Sequence, residues 1–323
     1  MRPEDDYTHP VGLESNFNES MYVQFYDPAA GIGGFVRLAN RPNEGRGEMT
    51  VCLYLPAGRL GFAHARPEIT SNDAFDAAGL RITVREPMQR IDVTFGGRLS
   101  VLDDPAAMAD PKAALSASPT ADSALSLVVT ATAPASPHSF DTAEGSFAPN
   151  HYEQILRADG TIRVGAESFE IHGDGLRDHS WGPRSWQTPW FYRWFHGTGE
   201  GFGFMGGWFG RPSGSEVRGG FVWDGATLHD VEGLELTTTR DSRDEPVAVR
   251  AVLRAGGRDW AVDGEVLAKV PLRNRRATGD DEPAVTRIVE SLVRWTLDDG
   301  RTVYGMAEYL DQIVDARPVG LAV

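Results

Sequence analysis

Hydrophobic and polar positions alternate with a period of two along much of the chain. Val51, Leu53 and Leu55 alternate with Thr50, Cys52 and Tyr54; Leu80, Ile82 and Val84 alternate with Arg81, Thr83 and Arg85; Ile91, Val93 and Phe95 repeat the pattern. A period of two turns successive side chains to opposite faces of a strand, so these runs predict half-buried β-strands. Gly96-Gly97, Asp159-Gly160, Asp224-Gly225, Gly256-Gly257 and Asp299-Gly300 predict the turns between such runs. The last lies between 285–297 and 302–310, the signature of a hairpin. Val285–Leu297 is read as a strand because Val285, Val289, Val293, Trp295 and Leu297 share one parity.

Two stretches break the alternation. Asp103–Ser123 is rich in Ala, Pro, Asp and Ser and predicts a loop with one short helix. Thr132–Asn150 carries Pro134, Pro137 and Pro149 among Ser, Thr and Ala, and predicts a connection between domains. The expected fold class is all-β, with two tandem antiparallel barrel or sandwich domains at 1–145 and 146–323. No short repeat is visible, and two such similar halves suggest a diverged duplication.

Composition narrows the partners. The formal net charge of −15 over 323 residues makes nucleic acid an unexpected partner. Cys52 is the single cysteine, which excludes an internal disulfide and a zinc site built on several thiolates. No run approaches the roughly 18 apolar residues of a membrane span, and the first residues, Met1-Arg-Pro-Glu-Asp-Asp, lack the apolar core of a signal peptide. A cytoplasmic protein is expected.

The densest chemistry lies in Gly173–Trp186. It carries Asp174, Arg177, Asp178, His179 and Arg184 among Gly173, Gly175 and Gly182, with Trp181 and Trp186 beside them. Glycines permit tight or left-handed turns, which predicts that acid, imidazole and indole groups gather at the end of a strand. The plain alternative is a structural ion pair of Asp178 with Arg177 and Arg184 fixing that turn. Trp190, Tyr192, Trp194 and Trp208 follow; five of the eight tryptophans fall between Trp181 and Trp208. Alternating strands would send some of these rings into a core in any case.

Some patterns are set aside. Gly201-Phe-Gly-Phe-Met-Gly206 matches the dinucleotide fingerprint only as a string of letters, because its flanks are strand-like and aromatic. His172, His179 and His196 with Asp174 and Asp178 match no familiar ligand spacing, so neither metal nor cofactor is expected.

Asp178-His179-Ser180-Trp181-Gly182 resembles the Asp-His-x-Trp-Gly segment of the carotenoid 1,2-hydratase (hydroxyneurosporene synthase) and AttH-like superfamily. Tyr152-Glu153-Gln154, one strand earlier, and Tyr304-Gly305-x-x-Glu308-Tyr309 near the end resemble a bacterial branch of it over roughly 150–312. Glu14–Ser20 matches that branch loosely. The resemblance implies two lipocalin-like (calycin-type) domains, with functional roles for His179 and Trp181. The carboxylate and tyrosine that those hydratases place about two dozen residues downstream have no counterpart here: the segment is Met205-Gly206-Gly207-Trp208.

The expected chemistry is acid-initiated attack on the alkene of an isoprenoid or other apolar small molecule: hydration, dehydration, isomerisation or cyclisation. Protonating such an alkene needs a carboxyl kept protonated by burial against apolar groups. Asp178 or Asp174 beside Trp181 and Trp186 would suit, an Asp178–His179 relay is a second arrangement, and Glu308 on a late strand is a third. Trp181, Trp186, Trp190, Tyr192, Trp194 and Trp208 are the expected substrate wall, since indole faces stabilise cations. The competing reading is a lipocalin-like carrier of a lipid or terpenoid, which needs no proton donor. A cyclase that only folds a polyene would depend on tryptophan shape more than on acids.

Overall fold

The computed structural model of the chain describes residues 1–138, 141–142, 145–147, 149–186, 188–278 and 281–322. Strands dominate, and the chain divides into two compact units. The first comprises Met1–Asp104, Leu115–Ser139 and Ala148–Arg184; the second comprises Pro105–Ala114, Phe140–Phe147 and Ser185–Val323.

The first unit begins with a 3-10 turn at Pro3–Asp6 and continues through β1 (Phe17–Asp27), β2 (Ile32–Arg41), β3 (Arg46–Leu55), β4 (Arg59–Ala65), β5 (Phe75–Ala77), β6 (Leu80–Glu86), β7 (Arg90–Leu102), β8 (Thr120–Ala131) and β9 (Ser136–Pro137). The predicted short helix, α1 (Pro111–Ala117), precedes β8, and a small ribbon, β10 (Asp141–Thr142) with β11 (Gly145–Ser146), follows β9. Two long strands, β12 (Asn150–Val164) and β13 (Glu167–Pro183), complete the sheet. Its order is β4-β3-β2-β1-β13-β12-β8-β7-β6-β5. Pairing of Leu60–Phe62 with Ser100–Leu102 joins β4 back to β7 and closes the ring. Met21, Val23, Val36, Leu38, Val51, Leu53, Val93, Leu127, Leu156 and Ile171 fill its core.

The second unit contains β14 (Phe191–Gly199), β15 (Phe202–Gly210), β16 (Glu216–Trp223), β17 (Leu228–Arg240), β18 (Pro246–Ala255), β19 (Arg258–Thr278), β20 (Asp281–Leu297), β21 (Thr302–Val314) and β22 (Arg317–Pro318). β14 to β21 run as a meander, and β21 pairs with β14 to close an antiparallel barrel. The Asp299-Gly300 hairpin forms as predicted, with Thr296 opposite Thr302. Phe195, Phe204, Trp208, Leu253, Val262, Val293 and Trp295 lie in this core.

The all-β, two-barrel class stands, with three corrections. The boundary near residue 145 gives way to an interleaved division, part of whose predicted connection (139–140, 143–144 and 148) lies outside the described residues. β12 and β13 belong to the first unit because they hydrogen-bond to β8 and β1, so the Asp-His-Ser-Trp-Gly segment sits there as well. Gly96-Gly97 and Asp159-Gly160 are not turns; they lie inside β7 and β12. Gly160 has φ +155°, and a Cβ there would run into the carbonyl of Ser126 on β8. Gly175 likewise serves strand contact rather than a turn, since a Cβ would strike the carbonyl of Gln24 on β1.

Candidate functional site

β13 sorts the motif by parity. Arg177, His179 and Trp181 stand opposite Val23, Met21 and Glu19 of β1, and opposite Gln154, Tyr152 and Asn150 of β12. Directly paired residues share a face, so this set belongs to the face that carries the barrel core. Asp178 and Ser180 stand opposite Tyr22 and Ser20, and opposite Glu153 and His151, on the other face. The Asp178–His179 relay therefore does not form: neighbours along a strand point apart.

His179 instead meets Glu19. Both side chains are fully buried, with Nε2 of His179 2.9 Å from Oε1 of Glu19. The same oxygen lies 2.7 Å from Nδ1 of His9. The backbone N–H of His9 donates to Oε2 at 2.8 Å, and the side-chain amide of Asn72 donates to Oε2 as well. Burial by itself would push this carboxyl up, but the hydrogen bonds from His179 and His9 win and hold it at about 2. An ionised carboxylate only accepts, so both imidazoles must donate to it, and the tautomers follow from that. His9 thus donates from Nδ1, and its buried Nε2 lies 3.9 Å from Asp5 Oδ1.

Rings and a second buried pair fix this cluster. His9 stacks on Trp181 with centroids 3.8 Å apart, while Phe75 and Tyr152 each present an edge to His179 at 5.5 Å. The Tyr152 hydroxyl donates to Asp6 Oδ1 at 2.6 Å, as does Arg177 Nη1 at 2.6 Å, and the Met88 N–H donates to Asp6 Oδ2. Burial raises the Asp6 carboxyl, but Arg177 outweighs it and the group stays below its ordinary range. Arg177 therefore pairs with Asp6 and not with Asp178. Asp6 and Glu19 together anchor the N-terminal segment at the end of the barrel that holds Trp181.

A cleft of about 480 Å³ opens there, bordered by Arg2, Asp5, His9, His138, Asn150, His151 and Trp181 among others. His151 Nε2 lies 3.0 Å from Asp178 Oδ2 and 3.7 Å from Glu153 Oε1. Burial opposes a charge on His151, but Asp178 and then Glu153 raise its pKa overall. Asp178 moves down: burial opposes this, and the His151 and Arg184 charges prevail. His138 Nε2 is 2.9 Å from Ser136 Oγ, and burial, helped by the His151 charge, lowers its pKa to about 4.

Among the described residues, two trios bring potential metal donors within 4.8 Å of one another: His9, Glu19 and His179, and His151, Glu153 and Asp178. These are the residues able to hold an ion. Both are already knit by imidazole–carboxylate hydrogen bonds.

The remaining predicted residues are dispersed. Asp174 is half-exposed on β13, 3.7 Å from Arg157, with burial raising its pKa. Trp186, Trp190, Tyr192, Trp194, Trp208 and Glu308 belong to the second unit. There the parity of β14 divides them again. Trp208 packs into the barrel core with Phe191, and Arg218 lies 3.5 Å over its ring. Tyr192 and Trp194 occupy the opposite face, where the Tyr192 hydroxyl donates to Glu308 and Phe147 touches Trp186 and Tyr192. His9, Glu19 and His151 carry the cleft chemistry and were not singled out from the sequence as site residues. Glu19 sits in the loosely matching segment Glu14–Ser20, the one signal that pointed towards it.

Among known proteins, the family model for a domain of unknown function (DUF7064) matches residues 2–313. No curated protein matches the chain by sequence. Solved structures share the fold, among them the following three. A candidate AttH from Nitrosomonas europaea is 15% identical with a TM-score of 0.61, and the match covers 96% of each chain. Kievitone hydratase from Nectria haematococca is 12% identical with a TM-score of 0.55, covering 97% of this chain and 95% of the hydratase. CghA with Sch210972 is 10% identical with a TM-score of 0.53, covering 92% of this chain and 88% of CghA.

Proposed function

The chain belongs to the DUF7064 family, and on that premise we propose that it is an enzyme of the lyase or isomerase type acting on an apolar small molecule at the mouth of its first barrel. The observation that carries this reading is the Glu19–His9 dyad at the cleft. A buried carboxylate fixes the orientation of an imidazole that lies flat on Trp181 and borders the cleft, which places a proton-transfer group there. His179 and Asn72 position Glu19. A kinship of fold with kievitone hydratase is in keeping with hydration or dehydration.

The electrostatics narrow the chemistry. Protonation of an isolated alkene calls for a neutral carboxylic acid, and Asp5, Glu19 and Asp178 are all held below their ordinary range. The proton-transfer groups at the cleft are imidazoles. Imidazole is suited to removing a proton from carbon next to a carbonyl. The proposed substrate is therefore an apolar molecule whose double bond, or whose C–H bond, is activated by a carbonyl group.

Proton exchange tests this. In D2O, the protein should catalyse exchange of the α-protons of 4-phenylbutan-2-one, followed by NMR, and His9→Gln should slow it by about 10²–10⁴-fold. Absence of catalysed exchange, with the ketone nevertheless bound, would support the carrier instead.

A further inference from the structure

The trio of His151, Glu153 and Asp178 takes no part in the chemistry proposed for His9. His151 and Glu153 are two residues apart on β12 and so share a face, and Asp178 stands directly opposite Glu153 on β13. His151 borders the cleft and Glu153 is fully buried, while the Asp178 side chain is 18% exposed and keeps the trio open to solvent. Like charges directly opposite one another across a strand pair are destabilising, and buried carboxylates persist where a cation or a metal ion answers them. Arg184 lies near enough for its charge to act on Asp178. His151 reaches both acids: its Nε2 is 3.0 Å from Asp178 Oδ2 and 3.7 Å from Glu153 Oε1.

Those separations suit coordination. Donors held about 2.1 Å from one ion lie about 3.0 Å apart at right angles and about 3.4 Å apart at the tetrahedral angle. The trio around Glu19 suits an ion less well. Glu19 accepts four hydrogen bonds, from the rings of His179 and His9, the His9 backbone N–H and Asn72, which fills the roughly four lone-pair sites of a carboxylate. An ion there would displace two imidazole hydrogen bonds from one oxygen; at His151 it displaces one. We infer that His151 Nε2, Glu153 and Asp178 form a binding site for a divalent transition-metal ion, with Zn2+ the best match to one imidazole and two carboxylates. The ion replaces the proton between Nε2 and Oδ2, which passes to solvent, and its two charges answer both carboxylates at once. None of the three donors belongs to the Glu19–His9 network, so the site stands or falls independently of the role proposed for His9.

Metal binding tests this directly. Protein stripped with a chelator and dialysed should take up about one Co2+ or Zn2+ per chain, followed by the visible absorbance of cobalt and by calorimetry. Zn2+ should raise the melting temperature of the wild-type protein. Millimolar Mg2+ should not displace either ion, because it favours hydrated, all-oxygen sites. His151→Gln and the isosteric, partly exposed change Asp178→Asn should each weaken binding by at least about 100-fold, with metal-free melts and circular dichroism showing that both variants fold. His172→Gln and His229→Gln, at more exposed imidazole–carboxylate pairs, should leave binding unchanged. No uptake by folded wild type would overturn the site and leave a histidine-bridged ion pair. Uptake that survives Asp178→Asn but falls in His179→Gln would place the ion at Glu19, and uptake lost in His172→Gln or His229→Gln would mark surface binding; either result overturns the assignment.

Discussion

His9 lies flat on Trp181, with ring centroids 3.8 Å apart and planes within 8° of parallel. The contact joins a residue of the N-terminal segment to the tryptophan of the Asp-His-Ser-Trp-Gly motif. It also places the imidazole so that Nδ1 meets Glu19 and the ring borders the cleft. Trp181 thereby acts as a platform for the dyad as well as a wall. Stacked pairs contribute about 0.5–1.5 kcal/mol beyond their buried area. Trp181→Ala should therefore cut α-proton exchange of 4-phenylbutan-2-one by roughly threefold to tenfold through misplacement of His9, and Trp181→Phe should cost less. Equal rates in Trp181→Ala and wild type would remove the platform role.

Glu19 ties acid stability to the site. Its carboxyl titrates near 2 in the folded chain against an ordinary value of 4.5. The folded state therefore binds this proton more weakly than the unfolded state does. The stabilisation is complete above about pH 4.5 and fades as the pH falls towards 2. Glu19→Gln leaves two buried imidazoles without their carboxylate and should cost about 3–5 kcal/mol at pH 7. Urea unfolding at pH 7, 5 and 3 should show the gap between variant and wild type shrinking towards the acid end; a gap that stays constant would contradict the linkage.

His196 should produce acid sensitivity of its own, from the second barrel. It is fully buried on β14 beside Trp194, neither ring nitrogen has a hydrogen-bond partner among the described residues, and burial lowers its pKa to about 3. The unfolded chain takes up this proton near 6.5 and the folded chain does not. Stability from this residue is full above about pH 6.5 and declines as the pH drops towards 3, a loss of about 2–3 kcal/mol by pH 4.5. His196→Phe should flatten the stability profile between pH 7 and 4.5, as read by thermal melts. A profile as steep as that of wild type would show that other groups cause it.

Gly175 tests what the motif's glycines do. A side chain there would meet the Gln24 carbonyl across the β1–β13 pairing, so Gly175→Ala should destabilise the first barrel by several kcal/mol, in the range of the worst single substitutions. Gly257, at the β18–β19 turn, has φ +74° and open space around it, so Gly257→Ala should cost only about 1 kcal/mol, from backbone strain. Similar melting temperatures for the two variants would argue against the close-approach explanation.

Alternation of apolar and polar residues determined the strands, and the Asp299-Gly300 hairpin and the short helix at Pro111–Ala117 were legible with them, because each depends on neighbours in sequence. The motif likewise led to His179 and Trp181, since charge and indole so close together are rarely left in a core without partners. What the sequence could not determine was company. His179 finds its carboxylate 160 residues away, and that pairing depends on the register of β1 against β13, where a slip of one residue would turn Glu19 to the other face. The same parity sends Asp178 away from His179 and towards His151. Asp159-Gly160 and Gly96-Gly97 read as turns because a glycine that ends a strand and one that lets a neighbouring strand approach look alike in one dimension. Only the closed barrel distinguishes them, since it alone sets which backbone passes over each glycine and which buried carboxylate faces which imidazole.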